Sequence, residues 1–151
     1  MLRPSKKMLF AIEAVLDIAY HAGGEPVQSR EITRRQEIPR RYLEQTLQQL
    51  VRSGILTGVR GPRGGYRLAR ERRRISVGEI VRVVRALEAA EETPEDLPTS
   101  ELGLQVIRPM WTDLQEEIMR RLDSITIDDL CMKAYQTGIV SEVTQKMDFT
   151  I

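Results

Sequence analysis

Two stretches of this chain place side chains in patterns suited to recognition chemistry. Arg40, Arg41, Glu44, Gln45 and Gln48 recur three and four residues apart, so a helix carries them on one face. An arginine can fork onto guanine, a glutamine can pair with adenine, and a glutamate can accept from a cytosine amine. Glu44 has two readings: a base reader, or an intrahelical partner of Arg40 or Arg41. The second stretch is Arg60-Gly61-Pro62-Arg63-Gly64-Gly65, a basic turn whose small residues let the backbone approach a nucleic acid closely. Arg60 or Arg63 suits a narrow, electronegative minor groove. Such a turn also fits nucleotide phosphates, but neither a Walker lysine–serine pair nor a strand–helix dinucleotide context follows it. Arg70, Arg72, Arg73 and Arg74 read as phosphate contacts or a solvated cluster.

Other chemistries find little material. Cys131 is the one cysteine, which excludes an intramolecular disulfide and an all-cysteine metal site within one chain. It reads as a small buried residue, with an oxidisable thiol sensor as the alternative. His21, at the end of the first helix, caps carbonyls or sits exposed, and lacks companions for a metal site. No serine, cysteine or lysine stands in a motif with His21, and no carboxylate pair stands out, so an enzyme is not expected.

The elements that must position these groups follow from periodicity. From Ser5 to Ala22, Met8, Leu9, Ile12, Val15, Leu16 and Ala19 recur at helical spacing, and Gly23-Gly24 ends the run. Ser29 is expected to cap a short helix, Arg30 to Glu37, burying Ile32. A break at Ile38-Pro39 precedes a third helix, Arg40 to about Ser53, with Leu43, Leu47, Leu50 and Val51 inward and Gly54 at its C-terminal cap. Pro39 fits the first turn, where its missing N–H costs nothing. Residues 55–60 and 66–69 read as a hairpin. Ser76 and Glu79 form a capping box that opens a helix through Leu87.

Glu88 to Glu101 is acidic, holds Pro94 and Pro98, and reads as a mobile connector; docking of a basic protein is the alternative to a solvated loop. A long helix from Leu102 spaces Ile107, Trp111, Leu114, Ile118 and Ile125 along an a/d-like seam, interrupted by Arg121. Pairing between two chains is the expectation, with packing on its own domain as the alternative; Trp111 reads as an anchor of the dimer core, or else as the wall of a ligand pocket. Thr126 or Asp128 starts a fresh helix, and the tail from Tyr135 to Ile151 is expected to fray. The organisation is thus a binding domain over 1–87, a connector over 88–101, a dimerisation helix and short helix over 102–130, and a tail over 131–151. Mainly α with a small β-hairpin wing, this is the layout of a winged helix-turn-helix.

Charge supports that layout. Residues 1–85 hold 18 Lys and Arg against 8 Asp and Glu, whereas residues 86–151 hold 5 against 14. The basic half suits duplex DNA; the acidic half does not. Aromatics are only 5%, consistent with an aliphatic helical core. No apolar run approaches the ~20 residues of a membrane span, and the start lacks a signal-peptide core, so a soluble cytoplasmic protein without membrane contact is expected.

Tyr42-Leu43-Glu44-Gln45, Val59-Arg60-Gly61-Pro62-Arg63-Gly64-Gly65-Tyr66-Arg67-Leu68 and Ser76-Val77-Gly78-Glu79-Ile80 together resemble the Rrf2 family of bacterial regulators. The resemblance runs from about Leu2 to Leu130, including Trp111 and residues 125–130. It implies a homodimer whose long helix crosses to its partner, most simply a repressor on a pseudo-palindromic operator. By resemblance Arg41, Glu44 and Gln45 fall at recognition-helix positions and Arg60 at the wing position that enters the minor groove. Ser5, Lys6 and Lys7 fall where the first helix touches DNA backbone. Two departures matter. Members that sense iron, nitric oxide or redox hold an iron–sulfur cluster through three connector cysteines; the connector here has none, and Glu91, Glu92 and Glu95 are poor substitutes for thiolates. No cofactor is therefore expected, and control falls to an effector protein or small metabolite. Pro39 stands where the family often has a serine, so operator details do not transfer. The competing reading is a protein-interaction module acting through the acidic half.

Overall fold

The computed structural model describes residues 3–91 and 98–142. Helix α1, Lys6–His21, begins under Ser5, whose Oγ accepts from the Met8 N–H at 3.2 Å. It buries Ala11, Ala14, Val15 and Ile18. Helix α2, Ser29–Gln36, starts one residue earlier than expected: Gln28 is the cap, its N–H donating to Glu31 Oε2 at 2.9 Å, and Ser29 is already helical. The cause is Val27, held extended by a reciprocal pair of backbone bonds with Tyr66 at 2.9 and 2.8 Å. The chain can turn only after it.

Glu37 closes α2 with φ 55°, a left-handed conformation, and Ile38 then drops into the core. Helix α3, Arg40–Arg52, follows Pro39, which sits one place ahead of the first turn and accepts from Leu43 N–H at 3.1 Å. Its end is a Schellman motif: Gly54 at φ 77° donates to Val51 O, and Ile55 N–H to Leu50 O. Strands β1, Leu56–Val59, and β2, Gly65–Leu68, pair antiparallel with Leu56 opposite Leu68. Val27 adds a one-residue third rung, so the wing is stitched to the link between α1 and α2.

Helix α4, Val77–Glu91, opens on the expected capping box: Ser76 N–H donates to Glu79 Oε2 at 2.9 Å, and Glu79 N–H to Ser76 Oγ at 3.2 Å. The connector does not begin at Glu88. Leu87, Glu88, Ala89 and Ala90 are strong helix formers with no breaker before Pro94, and the helix runs through Glu91. Residues 92–97 of the acidic stretch, including Glu92, Pro94 and Glu95, lie outside the described residues.

The long helix is not uniform. Gly103–Ile107 forms a π-type turn in which Arg108 N–H reaches back to Gly103 O, ahead of helix α5, Arg108–Asp123. Pro109 cannot donate to the carbonyl four residues before it, which favours the wider turn. Ile125 is not on the seam. Helix α5 ends before it, and the Ile125 carbonyl accepts from Val77 N–H at 2.8 Å, while Ile127 N–H donates to Ile75 O at 2.9 Å. This small ladder ties the starts of α4 and α6 together. Helix α6, Ile127–Gln136, carries the Thr126 cap, with Asp129 N–H donating to Thr126 Oγ1 at 3.1 Å.

The tail does not fray at Tyr135. Residues 139–142 lie along the end of α1: Tyr20 Oη donates to Ile139 O, Ser141 Oγ to Tyr20 O, and Glu142 N–H to His21 Nδ1 at 3.1 Å. Glu142 also pairs with Arg34 and Arg35 at 2.9 and 2.8 Å. Residues 143–151 lie outside the described set. One aliphatic core joins α1, α2, α3, α4 and α6 around Ile18, Ile32, Leu47, Ile75, Ile80 and Ile127. Its one buried charge among the described residues, Asp17 (1% exposed), accepts both arms of the Arg35 fork at 2.7 and 2.9 Å and the Gln36 amide at 2.9 Å. That hydrogen-bonded pairing raises the Arg35 pKa further. Among the described residues, no helix is long and apolar enough to cross a membrane.

Candidate nucleic-acid interface

Helix α3 divides cleanly. Leu43, Leu47 and Leu50 point inward, and Arg40, Arg41, Tyr42, Glu44, Gln45 and Gln48 are exposed together. Of the readings left open for Glu44, the structure displays the intrahelical one: Arg40 Nε donates to Glu44 Oε1 at 3.0 Å. Both side chains are exposed, so the pair is worth only a few tenths of a kcal/mol, roughly, and opens readily.

The start of α1 sits beside this face. Lys7 Nζ lies 5.6 Å from the centre of the Tyr42 ring, a cation–π contact. Ser5, Lys6, Lys7, Phe10, Pro39, Tyr42 and Glu88 line an open groove of about 680 Å³. Ser5 does double duty there, capping α1 and donating its hydroxyl to Glu88 Oε1. Sequence reasoning missed Tyr42 and Glu88 as members of this surface. Tyr42 had a signal, since it precedes buried Leu43 and so falls on the outer arc; Glu88 had none beyond helix propensity.

At the wing, Arg60 and Arg63 are exposed around Gly61, whose φ of 111° demands glycine. The other glycines have an internal explanation. A Cβ on Gly64 would meet Val59 O at 2.2 Å, and one on Gly65 would meet Val27 O at 2.4 Å. They are small because the hairpin folds against itself and against Val27, and approach to DNA is not needed to account for them. Gln28 Nε2 reaches Pro62 O at 3.4 Å, a second tie between α2 and the tip.

The arginine run after the wing is largely tied internally. Arg70 donates to Arg74 O and Glu79 Oε1, both at 2.9 Å, and Arg72 and Arg73 pair with Asp128 at 2.7 and 3.7 Å. Cys131 is 2% exposed in the core, and burial pushes its thiol pKa up, despite nearby Arg72. That favours the protonated thiol over the reactive thiolate. His21 neither caps a carbonyl nor stands free: its Nδ1 accepts from Glu142 N–H, and burial lowers its pKa.

Helix α5 has no buried residue. Its face toward α4 is polar, with Thr112, Gln115 and Glu116 beside Arg82 and Arg85. The Arg82 guanidinium forks onto Asp123 at 2.6 Å to each oxygen, which raises the Arg82 pKa and lowers that of Asp123. Leu104, Ile107, Trp111, Leu114 and Ile118 form a separate stripe, roughly 120° around the helix from the α4-facing side, and all are exposed, Trp111 at 40% and Ile118 at 54%.

A family model described as Rrf2, iron-dependent transcriptional regulator, matches residues 4–133. The protein rrf2 of Nitratidesulfovibrio vulgaris is 32% identical over 126 residues, covering 83% of this chain and 84% of the relative. The HTH-type transcriptional regulator IscR of Vibrio cholerae is 33% identical over 149 residues, covering 97% and 83%. Among solved structures, T. potens IscR superposes with a TM-score of 0.72 at 34% identity, covering 92% of this chain and 93% of that one. CymR, the global cysteine regulator of B. subtilis, gives 0.69 at 29% identity, covering 88% and 98%.

Proposed function

The chain belongs to the Rrf2 family of DNA-binding transcriptional regulators, and from that premise we propose that it works as a homodimeric repressor on a pseudo-palindromic operator, without an iron–sulfur cluster. The observation that carries the reading is the apolar stripe running from the π-type turn into α5, five large side chains at three- and four-residue spacing that stand 40–54% exposed among the described residues. A second copy supplies the missing cover, and a two-fold dimer then presents two recognition helices to two half-sites. Arg41, Gln45, Gln48 and Glu44 read base edges, Arg60 and Arg63 enter the minor groove, and Ser5, Lys6, Lys7 and Arg40 hold the backbone. Ile107, Trp111, Leu114 and Ile118 form the dimer seam.

The donor set does not fit a cluster. Cluster iron is held by several thiolates, and this chain has a single cysteine, buried in the core with its proton favoured. Among the described residues, no three His, Cys, Asp or Glu side chains gather closely enough to hold a metal ion. Control therefore passes to an effector protein or small metabolite, and Cys131 as a sensor would first need to be uncovered.

The test is selection of bound duplexes from a random library, followed by titration of the winner against salt. The expected result is an inverted repeat with half-sites spaced by helical turns. With ~6–10 phosphate contacts, affinity falls about three to five decades between 50 and 200 mM salt. A flat salt response would remove the electrostatic part of the reading. No binding at all would bring the acidic half and a protein partner forward.

A further inference from the structure

Glu88 is the one carboxylate among the residues lining the groove between the start of α1 and the start of α3, and it faces a surface otherwise built for an anion. Ser5 has a single hydroxyl proton, and Glu88 holds it. Lys6 and Lys7 line the same groove. While that bond lasts, a phosphate oxygen cannot take the Ser5 hydrogen, and it meets a negative charge beside the two lysines. The placement is fixed by packing. Leu87 and Val84, on the same last turns of α4, close a small cavity with Lys7, Tyr42, Gln45 and Thr46, so the carboxylate is delivered by a helix packed beside the edge of the recognition face.

We propose that Glu88 is a built-in competitor for DNA phosphate, a residue that holds down the affinity of each protomer by occupying the Ser5 hydroxyl and the mouth of the lysine groove. The inference rests on the DNA-binding reading above and adds to it a residue that opposes binding. Release of Glu88 from Ser5 precedes seating of the backbone there. A change that loosens the last turn of α4 withdraws the competitor and tightens binding without touching a base contact.

The experiment measures affinity of the full chain for the selected duplex and for an unrelated duplex of equal length, at low and moderate salt. Glu88→Gln keeps an oxygen to accept from Ser5 and removes only the charge. It should tighten binding to both duplexes by roughly fivefold per protomer, the size of one unit-charge repulsion at ~4 Å across water, and the gain should shrink as salt rises. Glu101→Gln removes an equally formal charge from an exposed position at the other end of the connector, and should change little. Glu88→Ala should tighten binding in the same direction. Unchanged or weaker binding by Glu88→Gln, with thermal unfolding like that of the parent, would overturn the proposal. An equal gain from Glu101→Gln would overturn it too, as an effect of net charge alone. These outcomes leave the DNA reading standing, since parental binding that Arg41→Glu abolishes establishes it separately. A parental chain that binds neither duplex would remove both.

Discussion

Helix α3 hides Leu43, Leu47 and Leu50 and turns only polar groups and Tyr42 outward; helix α5, three residues longer, hides nothing and leaves a stripe of large apolar side chains in the open. Both are amphipathic, so amphipathicity alone does not assign a role. The difference lies in what the rest of the chain covers. Where the apolar face is already satisfied, the outward face is free for polar recognition. Where it is not, among the described residues, an apolar stripe is left exposed, and on the proposed dimer another copy of the same helix covers it.

The sharpest way to break this contrast is to cut into each apolar face in turn. Leu47→Ala opens a cavity in a filled core and should cost about 2–5 kcal/mol in urea unfolding. Ile118→Lys should leave the unfolding of a single chain almost untouched, yet shift sedimentation from dimer to monomer and take DNA affinity down with it. If Ile118→Lys unfolds the chain as Leu47→Ala does, α5 is core and the contrast is wrong. A smaller effect tests the outward face of α3. Arg41→Ala should cost ~1–3 kcal/mol on the selected duplex and much less on an unrelated one. Equal losses on both would demote it to a phosphate contact.

The smallest effect asks where the self-contained part of the chain ends. His21 is held neutral by burial and accepts from Glu142 N–H, so its folded pKa lies below its ordinary value of about 6.5. Below that value the unfolded chain takes up the proton more readily than the folded one, and stability falls as pH drops. Unfolding free energy at pH 5.5 should therefore lie below that at pH 7.5, and His21→Gln should flatten the slope. Glu13 works the other way at lower pH, because burial, and then Asp17, raises its pKa and the folded chain gains the proton first.

Much of this was legible in the sequence because it is local. The outward residues of α3, the Ser76–Glu79 and Thr126 caps, Gly54 and the hairpin each follow from neighbours within four positions. What escaped was pairing across distance. Val27 makes a single rung with Tyr66, too short for any periodicity. Asp17 and Arg35 lie on different helices with a turn between them, and as isolated charges they look like solvent residues. Glu88 shares the acidity of the connector, but the helix propensity of residues 87–90 carries α4 through it. Ile125 kept the seam's spacing, but backbone bonds with the start of α4 ended the helix before it. The wing glycines suggest close approach of a nucleic acid from sequence, but at Gly64 and Gly65 the atoms a Cβ would meet belong to this chain.

The Val27–Tyr66 rung and the Gln28–Pro62 bond tie the wing to the start of α2, and Ile55, donating to Leu50 O and accepting from Ala69 N–H, ties it to the end of α3, so the recognition helix and the wing are two jaws of a fixed caliper. Neither jaw can slide along the other without breaking backbone hydrogen bonds. A duplex gripped by both must match one groove-to-groove distance or bend until it does, and the elastic work of bending differs with sequence. On the proposed DNA contacts, such a grip would sort operators by stiffness at base pairs it never touches.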